Sequence, residues 1–500
     1  MVNIVDSFFI KVKINPFCGA KVKILLVVPP TENTVTKYQL AFLNFTAPPL
    51  GLGYIAAVLE AKSFSKIQIL DAPVMNFSFN DYRRYLKRFS PDFVGIQTMT
   101  PNFQNALKAS QIAKEEKVPL VALGGYHPTA MPDESLTFGK GNIDVIFRGE
   151  AEYSVLEFVK NIENGKEWQN NKGISYIDKK RHIIHNPPAP LIQDLDTLPL
   201  PARHLLPMDK YRIFGSSFPA TSVLTSRGCP FSCDFCSVSA FYGSKWRPRS
   251  PKSIADEIRF LREVMDLKAT AFVDDLFFIS DRRVKKLVAN LITIKDIYWG
   301  ATTRADKGSF ELLNLMRKAG CRLVFVGVES GNQNILDKIH KKTSTSQIER
   351  YFDNTKKAHM DSLASVSFGF PGETKQTVID TVNWIINRLD PSLALFTLAT
   401  PYPGTEFYQN MVREGKIAEH DYSKYNLFNP ITEISGLSRE QMKYLTKWAY
   451  KRFYFRPSKI LQNTFRELRY SFESYGFTQF LYNSSVFAKG VINLKILTSM

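Results

Sequence analysis

Three cysteines lie close together in the sequence and carry its clearest chemical signal. Cys229, Cys233 and Cys236 fall in the segment TSRGCPFSCDFC (225–236), with the spacing Cys-x3-Cys-x2-Cys. Thiolates this close can bind one inorganic centre without ligands from the rest of the chain. A structural zinc site takes four protein ligands, and neither a second Cys-x2-Cys pair nor a His-x3-5-His pair follows the segment. A 4Fe–4S cluster usually takes four thiolates, so three cysteines predict a cluster loop that leaves one iron open.

The length and composition of the chain limit the classes of protein it can be. Its 500 residues are too many for one hydrophobic core, and 44% apolar with 22% charged residues is typical of a globular protein. Five cysteines, three of them clustered, indicate a reduced, cytoplasmic protein rather than a disulfide framework. No apolar run reaches the length of a transmembrane helix, and the N-terminus lacks the pattern of a signal peptide.

Residues 21–165 alternate apolar strands with amphipathic helices. The run KVKILLVVPP (21–30) is continuous and apolar, as a parallel strand buried on both faces would be. Four more strand candidates follow, at 66–73, 93–101, 119–129 and from 144 onward, each before a helical segment. This pattern predicts a five-stranded, doubly wound α/β domain of the flavodoxin-like type.

Ligands of doubly wound sheets bind beyond the carboxyl ends of the strands. The loops there contain neither a Gly-x-Gly-x-x-Gly segment after the first strand nor a Gly-x4-Gly-Lys-Ser/Thr segment, which argues against a nucleotide. Their closely spaced glycines suit the approach of the backbone to a large, flat ligand, unless they only make short turns. The candidate binding residues are Pro49, Leu50, Gly51, Asp71, Thr98, Thr100, Gly124, Gly125, His127, Gly149 and Glu150.

The segment 166–218 is predicted to connect two domains. A polar hairpin is expected over 174–186, with its turn near Asp178 and Lys179, and six prolines follow between 187 and 207. Prolines at this density exclude helix and central strand, and predict a stiff connector. We place the domain junction here, and a short N-terminal tail at 1–20.

Residues 219–430 repeat the alternation of strand and helix. Six strand candidates each run into a helix, at 222–228, 269–278, 298–306, 322–331, 362–372 and 393–404. They predict a barrel or partial barrel of βα units, and the first helix is signalled by Ser250 as N-cap and Pro251 at its first position. Barrels place their chemistry at the carboxyl ends of the strands, where Cys229 also lies. The polar residues gathered there are Asp274, Asp275, Arg304, Asp306, Glu329, Ser330, Gly369 to Glu373, Tyr402 and Gly404.

Residues 431–500 are predicted to be helical, basic and aromatic. Met442, Leu445 and either Trp448 or Ala449 fall on one helix face, with lysines around it. Such a helix either covers the barrel or lies on an anionic membrane or an apolar substrate. The net charge of +18 suits nucleic acid, phospholipid head groups or phosphorylated substrates, and equally a generally basic surface.

The cluster loop after the first barrel strand, with Phe235 before the third cysteine, resembles the radical SAM superfamily. Three further segments at strand ends resemble motifs of that superfamily, namely GVESG (327–331), GFPGET (369–374) and PYPGT (401–405). The preceding domain is similar to the cobalamin-binding domain of its cobalamin-dependent branch, through PPLGLGYIAAVLE, GGYHPT and RGEAE. The resemblance covers roughly residues 20–430.

The resemblance implies three cofactors, a 4Fe–4S cluster, S-adenosyl-L-methionine (SAM) and cobalamin. The three cysteines would bind three irons, and SAM would chelate the fourth through its amino and carboxylate groups. An electron from the reduced cluster would then cleave SAM to methionine and a 5′-deoxyadenosyl radical. The N-terminal loop residues named above would hold cobalamin. The residues expected near SAM are Glu329 and Ser330, Arg304 for its carboxylate, Gly369 to Pro371 near its adenine, and Asp274 and Asp275 toward SAM or substrate.

One departure from the cobalamin-dependent branch concerns the cobalt. Domains that ligate cobalt from below use an Asp-x-His-x-x-Gly motif, and no such run occurs here. His127, in Gly-Gly-Tyr-His-Pro, is expected to pack near the corrin as a loop residue, with ligation as the alternative. A cobalt without a histidine below it favours transfer of a methyl group to a carbon radical.

Two functions with the same cofactors stay open. We expect a methyltransferase that acts on an unactivated carbon, and the alternative is a cyclase or carbon-skeleton-modifying enzyme of a lipid or tetrapyrrole. RNA methylthiotransferases carry an additional three-cysteine domain, and only Cys18 and Cys321 remain here, so nucleic acid is not favoured. The expected partners are a small or lipid-like substrate, and a ferredoxin or flavodoxin as electron donor. The expected location is the cytoplasm, with peripheral contact to a membrane through the C-terminus as an addition.

Overall fold

The structure, a computed structural model, describes residues 21–31, 46–64, 66–213, 220–434, 436–463 and 465–466. The expected N-terminal tail and residues 467–500 of the C-terminal region lie outside these ranges. Within them, no helix combines the length and the apolar character needed to cross a membrane.

A seven-stranded sheet forms the N-terminal domain. Its first five strands run parallel in the order β2-β1-β3-β4-β5, which is the flavodoxin-like order, so the predicted fold class is confirmed here. The strands are β1 (Ile24–Val28), β2 (Ile67–Asp71), β3 (Phe93–Gln97), β4 (Leu120–Gly124), β5 (Val145–Phe147), β6 (Ile174–Ile177) and β7 (Ile183–His185). The helices are α1 (Leu50–Glu60), α2 (Phe79–Phe89), α3 (Phe103–Glu115), α4 (Tyr126–Ala130), α5 (Pro132–Phe138) and α6 (Glu152–Glu163).

The predicted hairpin joins this sheet as its last two strands. β6 and β7 are antiparallel, and Ser175 and Ile174 pair with Ile146 and Phe147 of β5. The sequence predicted five strands, and the sheet has seven. The hairpin adds to the sheet because β5 is a short edge strand whose unpaired backbone groups need partners.

The side chains of β1 alternate between two cores. Ile24 and Leu26 pack on the side of α1 and α6, whereas Leu25 and Val27 pack on the side of α2 and α3. Burial on both faces accounts for the continuous apolar run in the sequence.

Six parallel strands form an open, partial barrel in the order β15-β14-β13-β12-β11-β8, as predicted. A separate ladder of two short antiparallel strands, β9 and β10, follows the first barrel strand. The strands are β8 (Ala220–Val223), β9 (Ser226–Arg227), β10 (Arg247–Pro248), β11 (Ala269–Phe272), β12 (Tyr298–Thr303), β13 (Cys321–Glu329), β14 (Asp361–Phe368) and β15 (Leu393–Leu398). The helices are α7 (Ser237–Tyr242), α8 (Pro251–Met265), α9 (Asp281–Leu291), α10 (Phe310–Lys318), α11 (Gln333–Lys338), α12 (Thr345–Lys357), α13 (Lys375–Trp384) and α14 (Glu406–Arg413).

Helix α8, which follows the cluster loop, begins as the sequence predicted. The Ser250 hydroxyl accepts a hydrogen bond from the Ser253 N–H at 3.1 Å, and Pro251 occupies the first helical position. Ile254 and Leu261 on its inner face are buried in the barrel core. The chain that leaves the cluster loop is therefore anchored to the barrel within a few residues.

The proline-rich segment packs against the N-terminal domain rather than spanning a gap. It forms three single-turn 3₁₀ helices, at Leu195–Thr197, Arg203–Leu205 and Met208–Lys210. Its apolar side chains are buried in the core that also contains α1 and α6; they are Ile192, Leu195, Leu198, Ala202 and Leu206. The prolines exclude regular structure, as predicted, but the leucines between them bury enough apolar surface to fix the segment in place.

The C-terminal region packs on the barrel through α15 (Arg439–Tyr454). Met442, Leu445 and Ala449 are buried in the barrel core. The hydroxyl of Tyr454 accepts a hydrogen bond from the Ala394 N–H at 3.0 Å and donates one to the Ala394 carbonyl at 2.8 Å. Ala394 belongs to β15, an edge strand, so the tyrosine supplies partners that a further strand would otherwise provide. Of the two alternatives for this helix, the structure shows the one in which it covers the barrel.

A buried ionic cluster ties the proline-rich segment to α8. Glu257 of α8 is fully buried, and its carboxylate accepts a hydrogen bond from Arg249 and lies 2.7 Å from Arg203 Nη2 in an ion pair. The same Arg203 nitrogen donates to the Ser222 carbonyl of β8 at 2.9 Å. Removing one member would leave buried charges without a partner.

We predict that Glu257→Gln lowers the free energy of unfolding by about 3 kcal/mol, because Arg203 and Arg249 lose their charged partner inside the protein. The measurement is a denaturant titration of the purified protein followed by far-ultraviolet circular dichroism. Glu263→Gln, an exposed position of the same helix, is the matched control and should leave the midpoint unchanged. Equal midpoints for the two variants would contradict the prediction.

Candidate functional site

The three cysteines lie on a loop that leaves and returns through the β9–β10 ladder. Arg227 and Arg247 are paired across this ladder, so residues 228–246 form a loop whose two ends are held together. Gly228 begins the loop with φ +80°, and a Cβ at this position would collide with the Lys245 carbonyl oxygen. Only glycine fits a left-handed position under such close approach.

The thiols of the loop point into a largely buried environment. Cys233 is buried, and Cys229 and Cys236 are half-buried. Burial raises the pKa of all three, that of Cys236 to about 12. Cys233 raises the pKa of Cys229 further, and both raise that of Cys236. On Cys233 the positive charges of Lys341 and Arg304 act in the opposite direction.

These donors fit a cluster of several irons. Sulfur ligands are the donors that iron–sulfur clusters take, and each thiolate binds a different iron. Among the described residues, no three His, Cys, Asp or Glu side chains converge as the ligands of a single metal ion. The loop could therefore hold a 4Fe–4S cluster, with one thiolate at each of three corners.

Two aspartates at the end of β11 anchor the start of the loop. Asp274 is buried, and its carboxylate accepts hydrogen bonds from the Thr225 N–H (2.6 Å), from the Ser226 N–H (3.1 Å) and hydroxyl (2.9 Å), and from the Thr225 hydroxyl. Asp275 accepts one from the Gly228 N–H at 2.8 Å, and burial raises its pKa to about 6. In the structure both side chains bind the protein backbone beside the cysteines, and contact with SAM or substrate stays a prediction.

Glu329 and Ser330 lie at the end of β13, where the strand pairing shifts register. Glu329 adopts φ +64°, and its carboxylate lies 2.6 Å from Lys341 Nζ, with both residues buried. This ion pair lies directly against Gly327. A Cβ at that position would lie 2.6 Å from the carboxylate and 2.7 Å from the ammonium. Ser330 is buried, and its hydroxyl accepts a hydrogen bond from the Asn332 N–H. Sequence reasoning missed Lys341, whose position twelve residues after Glu329 gives no pairing signal.

Arg304 lies directly against the cluster loop. Its guanidinium is 3.8 Å from the ring centroid of Phe231, which stands between the first two cysteines. It also donates hydrogen bonds to Asp306 (2.9 Å), to the Lys341 carbonyl (2.8 Å) and to the Thr343 hydroxyl (2.8 Å). The sequence analysis expected Arg304 to bind the SAM carboxylate. Several N–H groups of its guanidinium thus already donate to protein acceptors.

The turn GFPGE (369–373) also contacts the cluster loop. Glu373 is fully buried and accepts hydrogen bonds from the N–H groups of Gly369 (2.5 Å) and Phe370 (3.1 Å), and burial raises its pKa to about 7. Phe370 packs on Phe235 of the loop, with ring centroids 5.2 Å apart. The carboxylate therefore fixes the turn, and Phe370 ties it to the cluster loop.

The predicted binding residues of the N-terminal domain gather along one edge of its sheet. All of them lie at or just beyond the carboxyl ends of the parallel strands. They are Pro49, Leu50 and Gly51 at the start of α1, Asp71 at the end of β2, Thr98 and Thr100 after β3, Gly124 and Gly125 at the end of β4, and Gly149 and Glu150 after β5. A Cβ added to Gly51 or Gly149 would meet no atom within 4 Å, so the backbone at both positions borders open space. The glycine backbone at this edge leaves room for a ligand to approach closely. Asp71 accepts a hydrogen bond from the Tyr211 hydroxyl at 2.9 Å, and burial raises its pKa.

His127 lies in helix α4 rather than in a loop, with its ring inside the protein. The ring packs on Phe103 and Tyr422, at centroid distances of 4.1 and 4.8 Å. Its Nδ1 lies 3.3 Å from the Thr100 hydroxyl and its Nε2 3.7 Å from Glu134. The side chain is only 1% exposed, so its neighbours are the aromatic residues of the core.

The two candidate binding regions face each other. Glu150 accepts hydrogen bonds from Arg227 and from Arg247, both at 2.7 Å, and Glu152 accepts one from Arg227 at 2.6 Å. Tyr126 of α4 stacks on Phe241 of α7 with centroids 4.4 Å apart. The sequence predicted Glu150 only as a ligand contact and missed Glu152, Arg227 and Arg247. The one signal that could have found them is the opposite charge of two loops at facing strand ends.

Comparisons with known proteins agree with these observations. Residues 40–159 match the family model of the B12 binding domain, and residues 223–385 match that of the Radical SAM superfamily. An uncharacterized methyltransferase of Pyrococcus horikoshii is 34% identical over 450 residues, which cover 89% of this chain and 95% of the relative. The anaerobic magnesium-protoporphyrin IX monomethyl ester cyclase of Rubrivivax gelatinosus is 29% identical over 81% of this chain and 74% of its own length.

A solved structure shares the fold. The radical SAM methyltransferase TsrM of Kitasatospora setae, solved with cobalamin and a [4Fe–4S] cluster bound, superposes with a TM-score of 0.63 at 19% identity, over 79% of this chain and 75% of that one. Both domains, their order along the chain and the relative that matches most of its length lead to one conclusion. The chain belongs to the cobalamin-dependent radical SAM enzymes, whose cofactors are a 4Fe–4S cluster, SAM and cobalamin.

Proposed function

We propose that this enzyme transfers a methyl group to an unactivated carbon of a small or lipid-like substrate. The observation that carries the proposal is the direct contact between the ligand edge of the N-terminal sheet and the cluster loop, through Glu150 and Arg227. A radical generated at the loop and a methyl carrier bound at that edge would then share one space. The Pyrococcus relative and TsrM are both named as methyltransferases, which supports methyl transfer as the reaction.

In this proposal the cysteine loop binds the cluster, and the barrel ends shape the SAM site. When bound, the cluster supplies the electron that cleaves SAM, and cobalamin supplies the methyl carrier. Cys229, Cys233 and Cys236 hold the irons. Lys341 and Arg304 stabilise negative charge beside Cys233, and Asp274 keeps the loop entry in place. The residues proposed to line SAM are Glu329, Ser330, Arg304, Gly369 and Pro371.

The N-terminal edge is proposed to hold cobalamin against the backbone. Open space beside Gly51 and Gly149 leaves room for the ring, and Gly125 (φ +117°) lets β4 approach Thr98 closely. Because His127 is enclosed by Phe103 and Tyr422, we propose that it supports this edge from inside and does not ligate cobalt.

A second candidate function is ring closure or carbon-skeleton rearrangement without methyl transfer. It is favoured by the similarity to the Rubrivivax cyclase, which shares most of the length of this chain. The two functions differ in the products formed from SAM.

Either function needs an electron donor such as ferredoxin or flavodoxin, and we place the enzyme in the reducing cytoplasm. The exposed Phe455, Ile460 and Leu461 after α15 are the candidates for peripheral membrane contact.

One prediction of the proposed function concerns the cluster. Anaerobic reconstitution of the wild type with iron and sulfide should yield about four irons per chain and a broad absorbance near 400 nm. Cys233→Ala should lose most of this absorbance and all cleavage of SAM, because one corner of the cluster has no ligand. Cys321→Ala is the matched control, since this buried cysteine lies in the barrel core. A Cys233→Ala protein that keeps its iron and still forms 5′-deoxyadenosine would refute the assignment.

Another prediction of the proposed function concerns the reaction. Reconstituted enzyme with cobalamin, a strong chemical reductant and SAM carrying a deuterated methyl group should form S-adenosylhomocysteine, at about one equivalent per bound cobalamin before any substrate is added. Omitting cobalamin should abolish this product and leave 5′-deoxyadenosine formation intact. With substrate, both SAM-derived products should accumulate together and the label should appear in the product. Accumulation of 5′-deoxyadenosine alone would favour the cyclase.

A further inference from the structure

One side chain of the N-terminal domain holds both ends of the cluster loop. Arg227 precedes the loop and Arg247 follows it, and the two are directly paired across the β9–β10 ladder. The Glu150 carboxylate accepts from Arg227 Nη1 through one oxygen and from Arg247 Nη1 through the other. We call this arrangement the neck clamp, defined by Glu150, Arg227 and Arg247.

The neck clamp is buried and reinforced. The three residues are 8%, 5% and 5% exposed. Glu152 binds the second terminal nitrogen of Arg227 at 2.6 Å, and the ring of Tyr54 lies 5.1 Å below the same guanidinium. Each group comes from a different part of the N-terminal domain, Tyr54 from α1 and the glutamates from the turn after β5 and the start of α6.

The proline-rich segment completes the clamp. The Ile192 N–H donates to Glu150 at 2.8 Å, and the Ile192 carbonyl accepts from Arg247 at 2.5 Å. Among the described residues, Arg247 Nε and Nη2 have no hydrogen-bond partner, so Glu150 is the carboxylate on which Arg247 depends. Burial favours the neutral acid, but Arg247 and Arg227 hold the pKa of Glu150 below its ordinary value, and the carboxylate is ionised.

The position of Glu150 gives the clamp a role beyond stability. It directly follows Gly149, whose backbone borders the open space at the ligand edge of the sheet. A movement of this turn shifts both ends of the cluster loop together, because one carboxylate binds both. A ligand that fixes the edge would therefore also fix the loop.

From this geometry we infer that Glu150 is a positioning residue, which transmits the binding of cobalamin at the N-terminal edge to the cluster loop. The inference rests on the proposed cobalamin site, and it is independent of whether the product is methylated or cyclised. Glu150 acts through Arg227 and Arg247 and need not touch either cofactor.

The test is amide hydrogen exchange of the cluster-reconstituted protein, followed in peptides that cover residues 228–246, with and without hydroxocobalamin. In the wild type, cobalamin should slow exchange of this loop about fivefold, because local opening of the loop then requires the edge to move as well. In Glu150→Gln this slowing should vanish at hydroxocobalamin concentrations that saturate the variant, with bound cobalamin measured by absorbance after desalting. A Glu150→Gln protein that keeps the full cobalamin-dependent slowing overturns the inference.

Two matched variants separate positioning from general destabilisation. Glu257→Gln removes a buried charge that pairs with Arg203 and Arg249 and leaves every hydrogen bond of Glu150 in place, so it should keep the cobalamin-dependent slowing despite its lower stability. Glu152→Gln leaves both loop ends bound to Glu150, and should also keep it. Loss of the slowing in all three variants would overturn the specific role of Glu150.

A further variant covers the case in which Glu150→Gln does not fold. Arg247→Met frees one end of the loop, leaves the Arg227 contacts in place, and should likewise abolish the slowing; its retention there would overturn the inference. Failure of the proposed function has a different signature, namely a wild type that binds hydroxocobalamin and protects the loop but forms no S-adenosylhomocysteine.

Discussion

The arrangement of this enzyme depends on carboxylates and guanidiniums buried between its two domains. A charge removed from water is stable only when it is paired, so Glu150, Arg227 and Arg247 are compatible with one relative placement of the cluster loop and the N-terminal sheet. An apolar contact of the same area would tolerate sliding by a few ångströms. Ion pairs with fixed donor directions do not tolerate such sliding. Radical chemistry between two bound cofactors requires a precisely fixed distance between them.

Acidic residues near the cysteines also accept hydrogen bonds from backbone N–H groups in this buried region. At the entry to the cysteine loop, carboxylates of a neighbouring strand end accept from several backbone N–H groups. Asp274 and Asp275 accept from Thr225, Ser226 and Gly228, and Glu373 does so for the neighbouring turn. Each carboxylate replaces the hydrogen bonds that a ladder would have made. An acidic side chain at the end of a barrel strand can therefore be the scaffold of a site without being a ligand in it.

The sequence predicted those features that depend on local pattern. Apolar periodicity located the strands of both sheets, Ser250 and Pro251 located the start of α8, and the cysteine spacing located the loop. The sequence did not predict which charged residues pair. Glu150 and Arg227 are 77 residues apart, and Glu329 pairs with Lys341 where the strand pairing shifts register. The proline-rich segment shows the same limit. Proline content predicts what a backbone cannot form, whereas burial of Leu195 and Leu206 depends on a surface elsewhere in the chain.

The open barrel gives the N-terminal domain a second purpose. Six strands leave a gap between β8 and β15, the two edges of the sheet. The N-terminal side reaches the β8 rim through the neck clamp, and the β15 rim through Ala130, which a Cβ on Gly404 would approach to 2.9 Å. Helix α15 covers the outer edge of β15 with its tyrosines. The domain that would carry cobalamin thus contacts both rims of the open barrel, and the contacts that would align the cofactors also cover part of the gap between the rims.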